Sequence, residues 1–144
     1  MKVTMMLADS AEAVGGKLYI LGGGWTVIGP EIGPTAIAIL FSVPWDQTSM
    51  KHRFAIELLD ADGDAVTGPD QNPLMIEGEF ETGRPPGVKP GTSLDVGIAI
   101  PVPPLPLELG VGYVWRLSVD DELRDEWRLP FTTNAGGPAQ EFAG

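Results

Sequence analysis

The sequence predicts an all-β domain, an antiparallel two-sheet β-sandwich of immunoglobulin-like or jelly-roll-like kind, with a closed β-barrel as the alternative. Three observations lead there. Apolar residues recur at every second position in run after run, the period of a strand with one face inward. The runs are cut apart by the 19 glycines and 14 prolines of the 144-residue chain, residues that make turns and end ladders. No stretch carries a helical period that could supply crossover helices, which excludes a doubly wound α/β sheet. About eight strands follow, at spacings typical of sandwiches.

In chain order, Val3, Met5 and Leu7 share one face of a first strand. Asp9 to Val14 reads as a single helical turn, too short to stand alone. Gly15-Gly16 turns the chain into a second strand, Lys17 to Ile28, interrupted by Gly22-Gly23-Gly24, the mark of a bulge or sharp bend. Thr35 to Val43 is apolar on both faces, with Ile37, Ile39, Phe41 and Val43 on one and Ala36, Ala38 and Leu40 on the other. Such a run is normally covered on both sides. Phe54, Ile56 and Leu58 alternate with Arg53, Ala55 and Glu57 before the Asp62-Gly63 turn signal. Leu74, Ile76 and Phe80 point inward against outward Glu77, Glu79 and Glu81. Leu94, Val96, Ile98 and Ile100 form the next face, followed by a stiff proline-rich crossover from Pro101 to Pro106. Tyr113, Trp115, Leu117 and Val119 are in register, as are Trp127, Leu129 and Phe131. One domain over residues 1–133 is expected, with 134–144 a flexible tail.

Composition narrows the function more by exclusion than by indication. Cysteine is absent, so disulfides and thiolate chemistry are excluded, and a cytoplasmic location is expected. The net charge is −11 and the basic residues do not cluster, so a nucleic-acid backbone would be repelled. The N-terminal apolar run is too short for a signal peptide, and none approaches a membrane span.

The stretch Lys17-Leu18-Tyr19-Ile20-Leu21-Gly22-Gly23-Gly24-Trp25 resembles the signature of an uncharacterised family of small bacterial proteins. Val43-Pro44-Trp45, His52-Arg53-Phe54, Leu58-Leu59-Asp60, Gly83-Arg84-Pro85-Pro86-Gly87 and Trp127-Arg128-Leu129 fit the same picture, over roughly residues 1–133. The resemblance implies one domain and supplies no catalytic residues.

Motifs that tempt toward chemistry have plainer readings. Asp60-Ala61-Asp62-Gly63-Asp64 starts like a calcium loop, but an EF-hand would need glycine and glutamate where Ala65 and Gln71 stand; a hairpin turn is the reading adopted. The triple glycine lacks the third glycine, the helix and the lysine of phosphate loops, and reads as backbone geometry. His52, the only histidine, reads as an exposed strand-end residue. The serines lie in no nucleophile-elbow context. Glu77, Glu79 and Glu81 read as a solvated face that guards an edge. Trp115 and Trp127 read as core, whereas Trp25 and Trp45 lie at strand ends beside loops.

These readings lead to a non-enzymatic protein-interaction or structural module, without cofactor or metal. Its partner would be another protein or a second copy, met through Ile37, Ile39 and Phe41 if their strand lies at an edge or under thin cover. The alternative is a carbohydrate or small-ligand binding domain that uses Trp25 and Trp45 as an aromatic platform.

Overall fold

A computed structural model describes residues 1–136. Nine strands are formed: β1 (Lys2–Val14), β2 (Lys17–Gly23), β3 (Val27–Ile28), β4 (Thr35–Val43), β5 (His52–Asp60), β6 (Met75–Phe80), β7 (Leu94–Val102), β8 (Gly112–Val119) and β9 (Glu122–Thr133). A 3-10 turn at Trp45–Gln47 is the one helical element among the described residues. The strands make a four-stranded sheet in the order β2-β1-β4-β7 and a five-stranded sheet in the order β3-β9-β8-β5-β6. No strand of one sheet pairs with the other among the described residues, so the sheets face each other as a sandwich and the closed barrel is not adopted.

The period-two reading places the core. From the first sheet come Leu7, Ile37, Ile39, Phe41, Val43, Ile100 and Val102; from the second come Phe54, Ile56, Leu58, Tyr113, Trp115, Leu117, Trp127 and Phe131. Aromatic pairs fill the space between the sheets, with Phe41 stacked on Phe80 at 4.2 Å and Tyr113 on Phe131 at 5.7 Å. Burial of these side chains, worth about 1.5–3 kcal/mol each, is the main force joining the sheets.

Four expectations change. Asp9 to Val14 is not a helical turn but the second half of β1. Gly15 and Gly16, at φ +59° and +77°, form the two-residue turn that pairs Val14 with Lys17 and carries the ladder to Ala8 opposite Gly23. A full ladder outweighs a helical turn too short to close more than a bond or two. The expected second strand is split. Gly22 and Gly24, both at positive φ, break the ladder, and the chain crosses to the other sheet as β3. There Val27 and Ile28 pair with Thr132 and Thr133 in parallel, so the sandwich is not wholly antiparallel. Asp120-Asp121-Glu122 reads from the sequence as an acidic turn, but the last strand already begins at Glu122, because Asp120 and Asp121 (φ +50° and +64°) make a tight turn directly after Val119. His52 is buried, as described below.

Asp60 accepts the backbone N–H groups of Asp62 and Asp64 through one carboxylate oxygen, both at 2.9 Å, while Gly63 takes φ +84°. This is the self-capped turn expected of that motif. Of the expected tail, Asn134 donates its N–H to Ile28 at 2.7 Å; residues 137–144 lie outside the described residues.

Candidate functional site

The least ordinary part of the molecule is the hairpin of β1 and β2. Only Lys2–Ala8 of β1 pairs with β4; beyond Ala8 the strand pairs with β2 alone. The hairpin folds back as an arm over the outer face of its own sheet. Leu18 reaches β7 there, so that a Cβ at Gly97 would sit 2.9 Å from Leu18 Cγ. The outer face is built to receive it. Ala8, Ala36 and Ala38 are buried although they point away from the inter-sheet core, and Gly97 leaves room that any side chain would fill. Between arm and sheet runs an open groove of about 410 Å³, lined by Met6, Leu18, Ile20, Ala38 and Leu40, with Lys17 and Asp95 at its polar margins.

The free edge of the arm is β2. Its two-residue turn makes Val14–Lys17 a hydrogen-bonded pair, so along the antiparallel ladder Lys17, Tyr19 and Leu21 turn their N–H and C=O groups toward β1. Leu18 and Ile20 therefore aim theirs outward. Among the described residues no backbone hydrogen bond ties either one to a loop or another element. On the side turned away from the sheet, Val14, Tyr19 and Leu21 stand 55 %, 57 % and 71 % exposed. An unpaired edge beside exposed apolar side chains is what folded proteins usually avoid.

The other three edges are guarded. β3 is two residues long. β6 exposes Glu77 and Glu79. β7 carries Asp95 and Pro101, and Pro103, Pro104 and Pro106 follow. Shortness, charge and proline all discourage a further strand from adding.

The residues singled out from the sequence fall elsewhere. Ile37, Ile39 and Phe41 are all 0 % exposed, and β4 is an interior strand with β1 on one side and β7 on the other. They form the core and present nothing to a partner; the apolar outer face of β4 is covered by the arm. Trp25 and Trp45 are half-buried at opposite ends of the sandwich. Trp25 lies against Phe131, edge to face at 6.0 Å, beside Thr35 where β4 begins. Trp45 follows the end of β4, under the guanidinium of Arg84 at 4.1 Å, which also donates to the Trp45 carbonyl. Nine residues of strand separate them by roughly 26 Å, so the two rings form no common platform. The alternation from Lys17 to Ile28 reads as one strand interrupted at Gly22-Gly23-Gly24, with nothing that marks a free edge. The missed signal was an uncharged run from Leu18 to Pro30, apolar on both faces, directly after a Gly-Gly turn.

His52 is the second feature that changes character. It is 3 % exposed and stacked on Phe80 at 5.2 Å. Its parity with Phe54, Ile56 and Leu58 already placed it on the inner face. Nδ1 lies 2.7 Å from an Asp120 carboxylate oxygen and Nε2 lies 2.8 Å from the Gln47 carbonyl. Both partners only accept, so both ring nitrogens must donate, and the imidazolium alone satisfies them. Burial by itself would push the His52 pKa down, but the hydrogen bonds to Asp120 and Gln47 outweigh it and hold the value above its ordinary 6.5. Burial would likewise raise Asp120. Its bonds to His52 and to the Arg53 N–H (2.9 Å) prevail and hold it below its ordinary 3.8. The node staples the 3-10 turn to the β8–β9 turn. With both nitrogens engaged, His52 is a structural cation.

The described residues contain no group of three or more His, Cys, Asp or Glu side chains placed to hold a metal, and no helix long and apolar enough to cross a membrane. Fold and site thus define a two-sheet β-sandwich with three guarded edges and one open one. The chain belongs to DUF6941, a family of unknown function, which it matches over residues 3–132. This agrees with the expected membership of an uncharacterised family. No curated protein and no solved structure matches the chain.

Proposed function

We propose that this protein is a non-enzymatic interaction module that docks through the open edge of β2, by adding a strand to its four-stranded sheet. The observation that carries the reading is the asymmetry of the edges: β3, β6 and β7 are blunted, whereas β2 offers the outward N–H and C=O groups of Leu18 and Ile20 beside exposed Tyr19 and Leu21. In strand addition the backbone bonds supply affinity and the alternate side chains supply specificity. The sequestered His52 supports the non-enzymatic part, since the one histidine has no nitrogen free for proton transfer to a substrate. A cytoplasmic location belongs to the same proposal, supported by the cysteine-free composition.

A photo-reactive side chain at position 20, compared with one at position 79 on the β6 edge, tests the reading in living cells. Discrete protein adducts from position 20 and none from position 79 are expected. Equal labelling at both positions, or none at position 20, would overturn it.

A further inference from the structure

We infer that the strand added to β2 is β2 of a second copy of this chain, antiparallel and related by a two-fold axis through Tyr19. This rests on the edge-docking reading above and names its occupant.

In an antiparallel pairing centred on Tyr19, Leu18 of one copy faces Ile20 of the other, and Ile20 faces Leu18. These are the two residues whose backbone groups point outward, so they exchange two hydrogen bonds at each pair, and all four free groups of each copy are used. The side chains agree with that register. Tyr19 meets Tyr19 across the axis, an aromatic pair of the kind that stabilises ladders. Lys17 meets Leu21, so no like charges are opposed. A two-fold interface of this kind closes on itself and leaves no further open edge.

Charge favours the same contact. The chain carries a net charge of −11, but Ala13 to Pro30 holds a single charge, Lys17. Two copies repel one another over most approaches, the β6 edge with Glu77 and Glu79 among them. Approach along β2 brings together the segments that lack acids. Of the acids around the arm, Asp9 and Glu12 lie on β1, with the Asp9 carboxylate beside Gly22 at the far end of β2, and Asp95 lies on β7 at the margin of the groove. The same charge that keeps copies apart elsewhere orients them here.

The absence of cysteine from the sequence allows a test without background. Light scattering behind size exclusion should give twice the 15.3 kDa of one chain. Ile20→Pro removes an outward N–H and no bond within the arm, and should return the mass to that of one chain with an unchanged circular dichroism spectrum. Ile20→Ala keeps that N–H and should remain a dimer. Tyr19→Cys places two thiols across the axis at a non-hydrogen-bonded pair, where Cα atoms lie about 4.5 Å apart. It should give a reducible covalent dimer under mild oxidation, whereas Leu21→Cys, offset by four residues from its copy, should not. A wild-type mass of one chain overturns the inference, and so does Leu21→Cys linking as readily as Tyr19→Cys. A single-chain mass together with adducts to another protein from position 20 overturns self-pairing and leaves edge docking intact; a single-chain mass without adducts removes both.

Discussion

Strands β4 and β2 belong to one sheet and neither carries an acid, yet Ile37, Ile39 and Phe41 are 0 % exposed while Tyr19 and Leu21 stand 57 % and 71 % exposed. The difference is one of neighbours. β4 has a ladder on each side, the second sheet beneath and the arm above; β2 has β1 on one side and an open edge on the other. An apolar strand that folding has covered is core, and one left open is surface held ready for something else. The comparison moves the expected contact surface from β4 to β2 without changing the kind of function expected.

The largest test breaks the comparison at its buried side. Ile39→Lys places an unpaired charge in a sealed core and should cost about 4 kcal/mol or more, enough to unfold a domain of this size. In the dilute, single-chain state Leu21→Lys should change stability by less than about 0.5 kcal/mol, because its side chain is already in water. Urea denaturation read by tryptophan fluorescence distinguishes the two, and equal costs would mean that β2 is packed after all.

The His52 node extends the sealed side, since Phe80 bridges Phe41 and the imidazole. His52→Ala should cost about 2–3 kcal/mol, from lost packing and from the part-buried Gln47 carbonyl left without its donor. The pH dependence has a definite sign. The folded chain holds the His52 proton more tightly than the unfolded chain, so that contribution is complete below pH 6.5 and disappears as pH rises through the raised value. Asp120 contributes fully above pH 3.8 and loses its contribution as pH falls through the lowered value. Denaturation midpoints in wild type should therefore weaken on both sides of that window, and Asp120→Asn should flatten both slopes. An NMR titration placing His52 below 6.5 would contradict the imidazolium.

A smaller effect joins the two strands directly. Gly97→Val drives a side chain into Leu18, and should lift the arm from the sheet at a cost of about 1–3 kcal/mol. Limited proteolysis should then cut between Asp9 and Gly24 faster than it does in the wild type. Smallest in stability is the pair Glu77→Val and Glu79→Val, within about 0.5 kcal/mol. That double variant makes β6 resemble β2, and should add a second mode of association visible as higher-order species in light scattering.

The core was legible because period-two alternation is a local signal: each inward position of β4, β5, β8 and β9 can be read from its own strand. The bend at Gly22-Gly23-Gly24 was legible for the same reason. Edge status was not, because it depends on which strands lie beside which, and no residue of β2 or β4 encodes its neighbour. β4 drew attention because its apolar residues are dense, and that density arises from cover on both faces. His52 was misplaced for a different reason. Its parity pointed inward, but a charged ring becomes tolerable inside only through Asp120 and the Gln47 carbonyl, and Asp120 lies 68 residues away in the chain.

The most direct test of the open-edge account is residue-resolved amide hydrogen exchange of the full chain at high and low protein concentration. The account predicts that the Leu18 and Ile20 amides exchange freely when dilute and become protected when concentrated, with no such change along β6. Protection at Leu18 and Ile20 that is independent of concentration would contradict it, whereas exchange that stays fast at every concentration would overturn the pairing of two copies and leave the edge itself open.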